Sequence, residues 1–122
     1  VDPLDALAPR LPEGGLVELQ RAAREIRVDR AVASYLVSLV ERTRAHPDVE
    51  LGVSPRGALG LFRASQARAL LLGRGFVAPD DVASLAVPVL AHRLLLGPEA
   101  KYAGRRGEGV IRAIVESEPV PA

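Results

Sequence analysis

The 122 residues (12.9 kDa) suffice for one hydrophobic core and are too few for two independent ones. Hydrophobic residues at 48%, charged residues at 25% and a formal charge of +1 fit a water-soluble globular domain and exclude a disordered chain or one read as a nucleic-acid binder from charge alone. The chain has no Cys, hence no disulfide framework and no thiolate chemistry, and no apolar run or leader pattern marks it for a membrane or for export.

Residues 1–12 carry three prolines and little periodicity and are predicted to be an extended lead-in from an upstream segment. Leu16, Leu19, Ala23 and Ile26 then recur at helical spacing, predicting a first helix over 13–25 that Gly14 and Gly15 weaken at its start. Asp29 suits an N-cap, and Val32, Leu36, Leu39, Val40 and Thr43, flanked by Tyr35, give a second helix to Ala45, stopped by His46-Pro47. Ser54 as N-cap and Pro55 at the first helical position open a third helix over 55–72, with Gly73 and Gly75 as its stop. Pro79-Asp80-Asp81 start a fourth helix, expected to kink near Leu85 because of Pro88 and to run to Leu95. Residues 97–107 read as a glycine-rich connector and 108–118 as a short terminal helix. Ile26–Val28 and Phe76–Val77 are the only candidate strands, so the fold class is all-α, a small bundle of four to five helices. Its expected core is Val32, Leu36, Leu39, Leu59, Phe62, Val82, Leu85 and Leu90.

Enzyme chemistry is mostly excluded. A phosphate loop needs Lys after Gly, and the only lysine, Lys101, follows Ala100. The Gly104–Gly109 stretch lacks the strand and spacing of a dinucleotide fingerprint. Two histidines without Cys or a spaced acidic partner make no metal site. His46, at a helix end, suits a cation easing the dipole or plain exposure; Asp80 and Asp81 suit capping; His92 beside Arg93 suits a structural role or contact with another domain. Arg56 stands apart, because a cation in the first helical turn opposes the dipole and asks for an anion nearby. A phosphate at Ser54-Pro55-Arg56 would meet both the guanidinium and the helix N-terminus, although a solvated surface arginine is the alternative reading.

Gly52-Val53-Ser54-Pro55-Arg56-Gly57, Ala67-Arg68-Ala69-Leu70, Gly73-Arg74-Gly75-Phe76-Val77, Pro79-Asp80-Asp81-Val82 and Val89-Leu90-Ala91-His92-Arg93, in this order and spacing, closely resemble the C-terminal lid of MoxR-type AAA+ ATPases. The resemblance spans nearly the whole chain, making 1–122 a single lid domain whose ATPase core lies upstream. It implies that Arg56 is the sensor-2 arginine, with Ser54 and Pro55 beside it at the nucleotide and His92 and Arg93 as weaker inter-domain contacts. It further implies a cytoplasmic parent that binds ATP and Mg, hydrolyses ATP in a homo-oligomeric ring, commonly a hexamer, and serves client proteins as a chaperone-like machine, with von Willebrand factor A domain proteins as possible partners. No catalysis is expected from this chain alone. A magnesium-chelatase-type motor lid and, through Arg105 and Arg106, a free-standing helical adaptor or DNA-binding domain are the competing readings. Two positions depart from the family pattern: Ala78 replaces a capping Thr or Ser, and Gly57 replaces Ala, which is expected to loosen the turn bearing Arg56.

Overall fold

The computed structural model describes residues 2–122; the first residue of the predicted lead-in, Val1, lies outside them. The rest of the lead-in is not fully extended: Asp2 accepts the Leu4 N–H (2.9 Å) and starts a 3₁₀ turn, Pro3–Ala6, on the surface. Then follow α1 (Gly15–Arg24), α2 (Arg30–Ala45), the strand β1 (Val49–Leu51), α3 (Pro55–Leu71), α4 (Pro79–Leu90), a 3₁₀ turn (Ala91–Arg93), the strand β2 (Leu95–Leu96), α5 (Pro98–Tyr102) and α6 (Gly107–Ser117). The chain is all-α, with one two-stranded antiparallel ribbon in which Val49 faces Leu96 and Leu51 faces Leu95.

Local signals placed most helix ends correctly. Ser54 caps α3, and Gly73, at φ +77°, ends it in a Schellman arrangement: Arg74 N–H donates to Ala69 O (2.9 Å) and Gly73 N–H to Leu70 O (3.0 Å). Asp29 occupies the N-cap position of α2, but its carboxylate makes no cap bond and pairs with Arg27 instead (3.3 Å). The fourth helix passes Pro88 but stops at Leu90, tightens into the 3₁₀ turn and gives way to β2, so the expected run to Leu95 is five residues too long. The predicted 97–107 connector contains α5, opened by Pro98. The predicted strands reduce to a parallel bridge between Arg27 and Phe76, with Val77 N–H donating to Arg27 O (2.9 Å).

The core lies among α2, α3, α4 and α6. Val32, Leu36, Leu39, Val82 and Leu90 are buried as expected, while Phe62 and Leu85 are half-buried and Leu59 is 53% exposed. On α3 it is Leu61, fully buried, that enters the core, and the terminal helix adds Val110, Ile111 and Ile114. Gln66, also buried, ties α3 to the end of α1 by donating to Ile26 O (2.8 Å).

Two polar anchors fix the ends of α3. At its start, the buried Thr43 hydroxyl donates to Val40 O (2.6 Å) and accepts the Val53 N–H (3.0 Å), while Arg44 Nε donates to Val53 O (2.9 Å). Both backbone polar groups of Val53 are thereby held by α2. Gly52 makes this approach possible, since a Cβ there would fall 2.7 Å from the Arg44 backbone. At the far end, the fully buried Asp81 carboxylate accepts from Arg74 through both oxygens (2.6 and 2.7 Å), from Arg68 (2.6 Å) and from the Ala78 N–H (2.7 Å). The last bond answers the loss of a capping side chain at Ala78, because Asp81 reaches back to the N-cap amide. Burial pushes the Asp81 carboxyl up, but the hydrogen bonds from Arg74, Ala78 and Arg68 and the charge of Arg74 outweigh it and hold the group below the usual carboxylate range.

Thr43→Val keeps the shape but leaves the Val53 N–H buried without its acceptor, and should cost about 1–3 kcal/mol in a urea denaturation. For Asp81, whose folded pKa is depressed, the stabilisation is complete above the unfolded carboxyl value near 3.9 and is lost as pH falls through the lower folded value. Thermal unfolding across the acid range should show this loss, and Asp81→Asn should abolish that component while removing about 3–5 kcal/mol at neutral pH. An Asp81→Asn midpoint equal to the parent's at pH 7 would show that the three-sided grip is dispensable.

Candidate functional site

The start of α3 presents the residues singled out from the sequence. Ser54 Oγ accepts the Gly57 N–H (3.2 Å), Pro55 occupies the first helical position, and Arg56 follows on the exposed side of the turn. Pro55 has no N–H, the Gly57 amide is taken by Ser54 Oγ, and the Ala58 amide donates to Ser54 O (3.0 Å). Only the Arg56 N–H remains for an incoming anion, so the helix end offers less than its sequence suggests and the guanidinium carries the site. That guanidinium forms no hydrogen bond or ion pair with any described residue.

Gly57 does not loosen this turn. It is buried, and a Cβ on it would fall 2.7 Å from Val53 Cγ1 and 3.0 Å from Arg93 Cδ. The glycine is a seat: Val53 packs below it and the stem of Arg93 crosses above it. Arg93 arrives from the 3₁₀ turn after α4, where its Nε donates to Val89 O (3.2 Å), and it forms no ion pair among the described residues. The turn is braced from behind, because Gly107 at the start of α6 lies against the Ala91 carbonyl, which a Cβ would approach to 2.5 Å. The structure therefore brings Arg93 to the first turn of α3, a contact that spacing alone could not show. His92 stands exposed on the same 3₁₀ turn.

The remaining candidates are structural. His46 is the half-buried C-cap residue of α2, and its Nδ1 accepts the Asp48 N–H (3.1 Å). Asp81 is the buried anchor described above, and Asp80 is an exposed partner of Arg68 (3.4 Å). In the basic pair behind the DNA-binding alternative, each arginine has a carboxylate beside it, Arg105 on Asp48 (2.6 Å) and Arg106 near Glu108 (3.6 Å). Among the described residues, no group of three or more His, Asp or Glu could hold a metal ion, and no helix is long and apolar enough to cross a membrane.

Residues 41–114, which include the whole of this site, match the AAA lid domain family. The protein YeaC of Bacillus subtilis is 43% identical over 119 residues, covering 98% of this chain and 37% of its own. The chaperone MoxR1 of Mycobacterium tuberculosis is 33% identical over 120 residues, covering 91% and 32%, and the MoxR protein of Paracoccus denitrificans is 45% identical over 75 residues, covering 58% and 21%. The chain thus spans about a third of the length of the first two of these relatives. In fold it is similar to part of a crystal structure from Cytophaga hutchinsonii, with a TM-score of 0.84 at 23% identity over 90% of this chain and 36% of that one. By sequence and by architecture, the chain belongs to the AAA lid domain family, in the form carried by MoxR-type AAA+ ATPases.

Proposed function

We propose that this chain is the nucleotide-sensing lid of its parent ATPase and that Arg56 is its sensor-2 arginine. The observation that carries the reading is an exposed guanidinium in the first turn of α3, unpaired among the described residues, on a backbone that Thr43, Arg44 and Gly57 hold from beneath. Such a cation opposes the helix dipole and gains only when an anion arrives. The phosphates of an ATP held by the upstream core would supply that anion, and the charge they develop during hydrolysis is what a fixed guanidinium stabilises. The residues present fit this part: Arg56 contributes one side chain and one backbone N–H, Ser54 and Pro55 set the helix start, and Arg93 lies against the same turn. The phosphate loop and the carboxylates that hold Mg belong, on this reading, to the core.

The lid then moves with nucleotide state and passes that motion around a ring of copies, commonly six, serving client proteins in a chaperone-like manner in the cytoplasm, with von Willebrand factor A domain proteins as candidate partners. On this reading His92 and Arg93, on the braced 3₁₀ turn, are the weaker contacts to the core as it closes.

Arg56→Ala in the parent ATPase should slow hydrolysis about 10²- to 10³-fold if the arginine acts as one transition-state donor. In this chain alone the same change should be neutral or slightly stabilising, by at most about 0.3–1 kcal/mol, because it removes a cation from the positive end of a helix. Steady-state ATPase assays and urea denaturation read the two effects. Unfolding of the chain, or an unchanged hydrolysis rate, would make Arg56 a structural residue and overturn the reading.

A further inference from the structure

Helix α1 has the amphipathic pattern of a core helix, yet Gly15 is its only buried residue. Leu16 is 59% and Leu19 41% exposed, although their spacing puts them on one apolar face. On α3, Leu59, Arg63, Ala67 and Leu71 follow one another at four-residue steps along one face. Leu59, expected in the core, is exposed on this face, and Leu71 is 80% exposed. Between the two helices runs an open groove of about 380 Å³, with Leu16, Leu19 and Ala23 facing Ala67, Leu70 and Leu71. Monomeric proteins rarely leave periodic apolar faces of two neighbouring helices uncovered, and such faces mark interaction surfaces.

The charge on this groove is one-sided. Arg24 and Arg63 line it and no carboxylate does; Glu18 of α1 falls on the opposite side of its helix. Neither arginine is in an ion pair among the described residues. Arg63 lies over the Phe62 ring (5.7 Å) and donates one nitrogen to Gln66 Oε1 (3.1 Å), which holds the guanidinium at the rim with its other donors free. The gap between the two helices is the shape that a third helix fills.

We propose that this groove receives one amphipathic, acidic helix of a partner protein, with leucine-type side chains at i, i+4 and i+7 on the apolar floor and carboxylates against Arg24 and Arg63. The surface is separate from the Arg56 turn, so the proposal stands whether or not Arg56 senses nucleotide.

Two fluorescein-labelled peptides of about 14 residues, four helical turns, share one leucine pattern and carry Glu or Lys at the flanking positions. In fluorescence anisotropy the Glu peptide should bind this chain about tenfold more tightly than the Lys peptide at about 50 mM salt, a margin that should shrink near 500 mM. Arg24→Glu combined with Arg63→Glu should reverse the order. Ala67→Trp, which fills the floor, should abolish binding of both peptides; Leu71→Glu, at a position exposed enough to leave folding untouched, should weaken the Glu peptide if the tryptophan variant fails to fold. No binding, equal binding of the two peptides, or indifference to the charge reversal would overturn the proposal. So would binding to this chain but not to the parent ATPase, which would give the groove to the parent's own core. Self-association in sedimentation velocity that Leu71→Glu abolishes would give it to a second copy.

Discussion

The backbone of Val53 is where the start of α3 is tied to the end of α2. Its N–H goes to Thr43 and its carbonyl to Arg44, two neighbouring side chains at the end of α2, and Gly52 allows the approach by having no side chain. Everything that follows in the chain starts from this fixed point. Ser54 can cap only a helix whose first turn is already aimed, and Arg56 projects from that turn. A side-chain donor and acceptor do here what a neighbouring strand does for a longer sheet, and they do it in a buried setting where an unmet amide would be costly.

The other end of α3 is fixed by opposite means. There a charge is buried, and its desolvation is offset because four donors converge on one carboxylate. Arg68 comes from α3, Arg74 from the turn after it and the Ala78 amide from the lead into α4, so a single side chain sets the angle between the two helices that pack most extensively. With both ends held, α3 is a rigid strut. A guanidinium at its tip therefore shifts with the whole helix pair, which is what the proposed sensing role would ask of it.

Features written in neighbouring residues were legible in the sequence. The Ser54-Pro55 start, the Gly73 stop and the buried stripe of α2 each depend on a few consecutive residues and on backbone chemistry that recurs everywhere. Leu59 lies outside the expected core because periodicity shows that a face is apolar without showing what covers it. The β1–β2 ribbon joins segments some forty residues apart, each too short to carry an alternating pattern. Of the site, Arg56 could be found because its charge conflicts with its position. Arg93 could not be placed beside it, nor Gly57 understood, since the reason for that glycine is a side chain arriving from a distant turn.

Fifteen arginines against one lysine suggest at first a bias of base composition with no structural meaning. At exposed positions such as Arg21 or Arg112, that is how they behave. Arg74 differs: it holds Asp81 with two nitrogens on two oxygens, a planar fork matched to a planar carboxylate. An ammonium could deliver its charge to Asp81 but would not reproduce the fork, and one buried carboxylate oxygen would drop from two donors to one. The two basic residue types are thus interchangeable at such exposed positions and unequal where the planar fork is used, and a lineage drifting from Arg to Lys would meet a limit at Arg74.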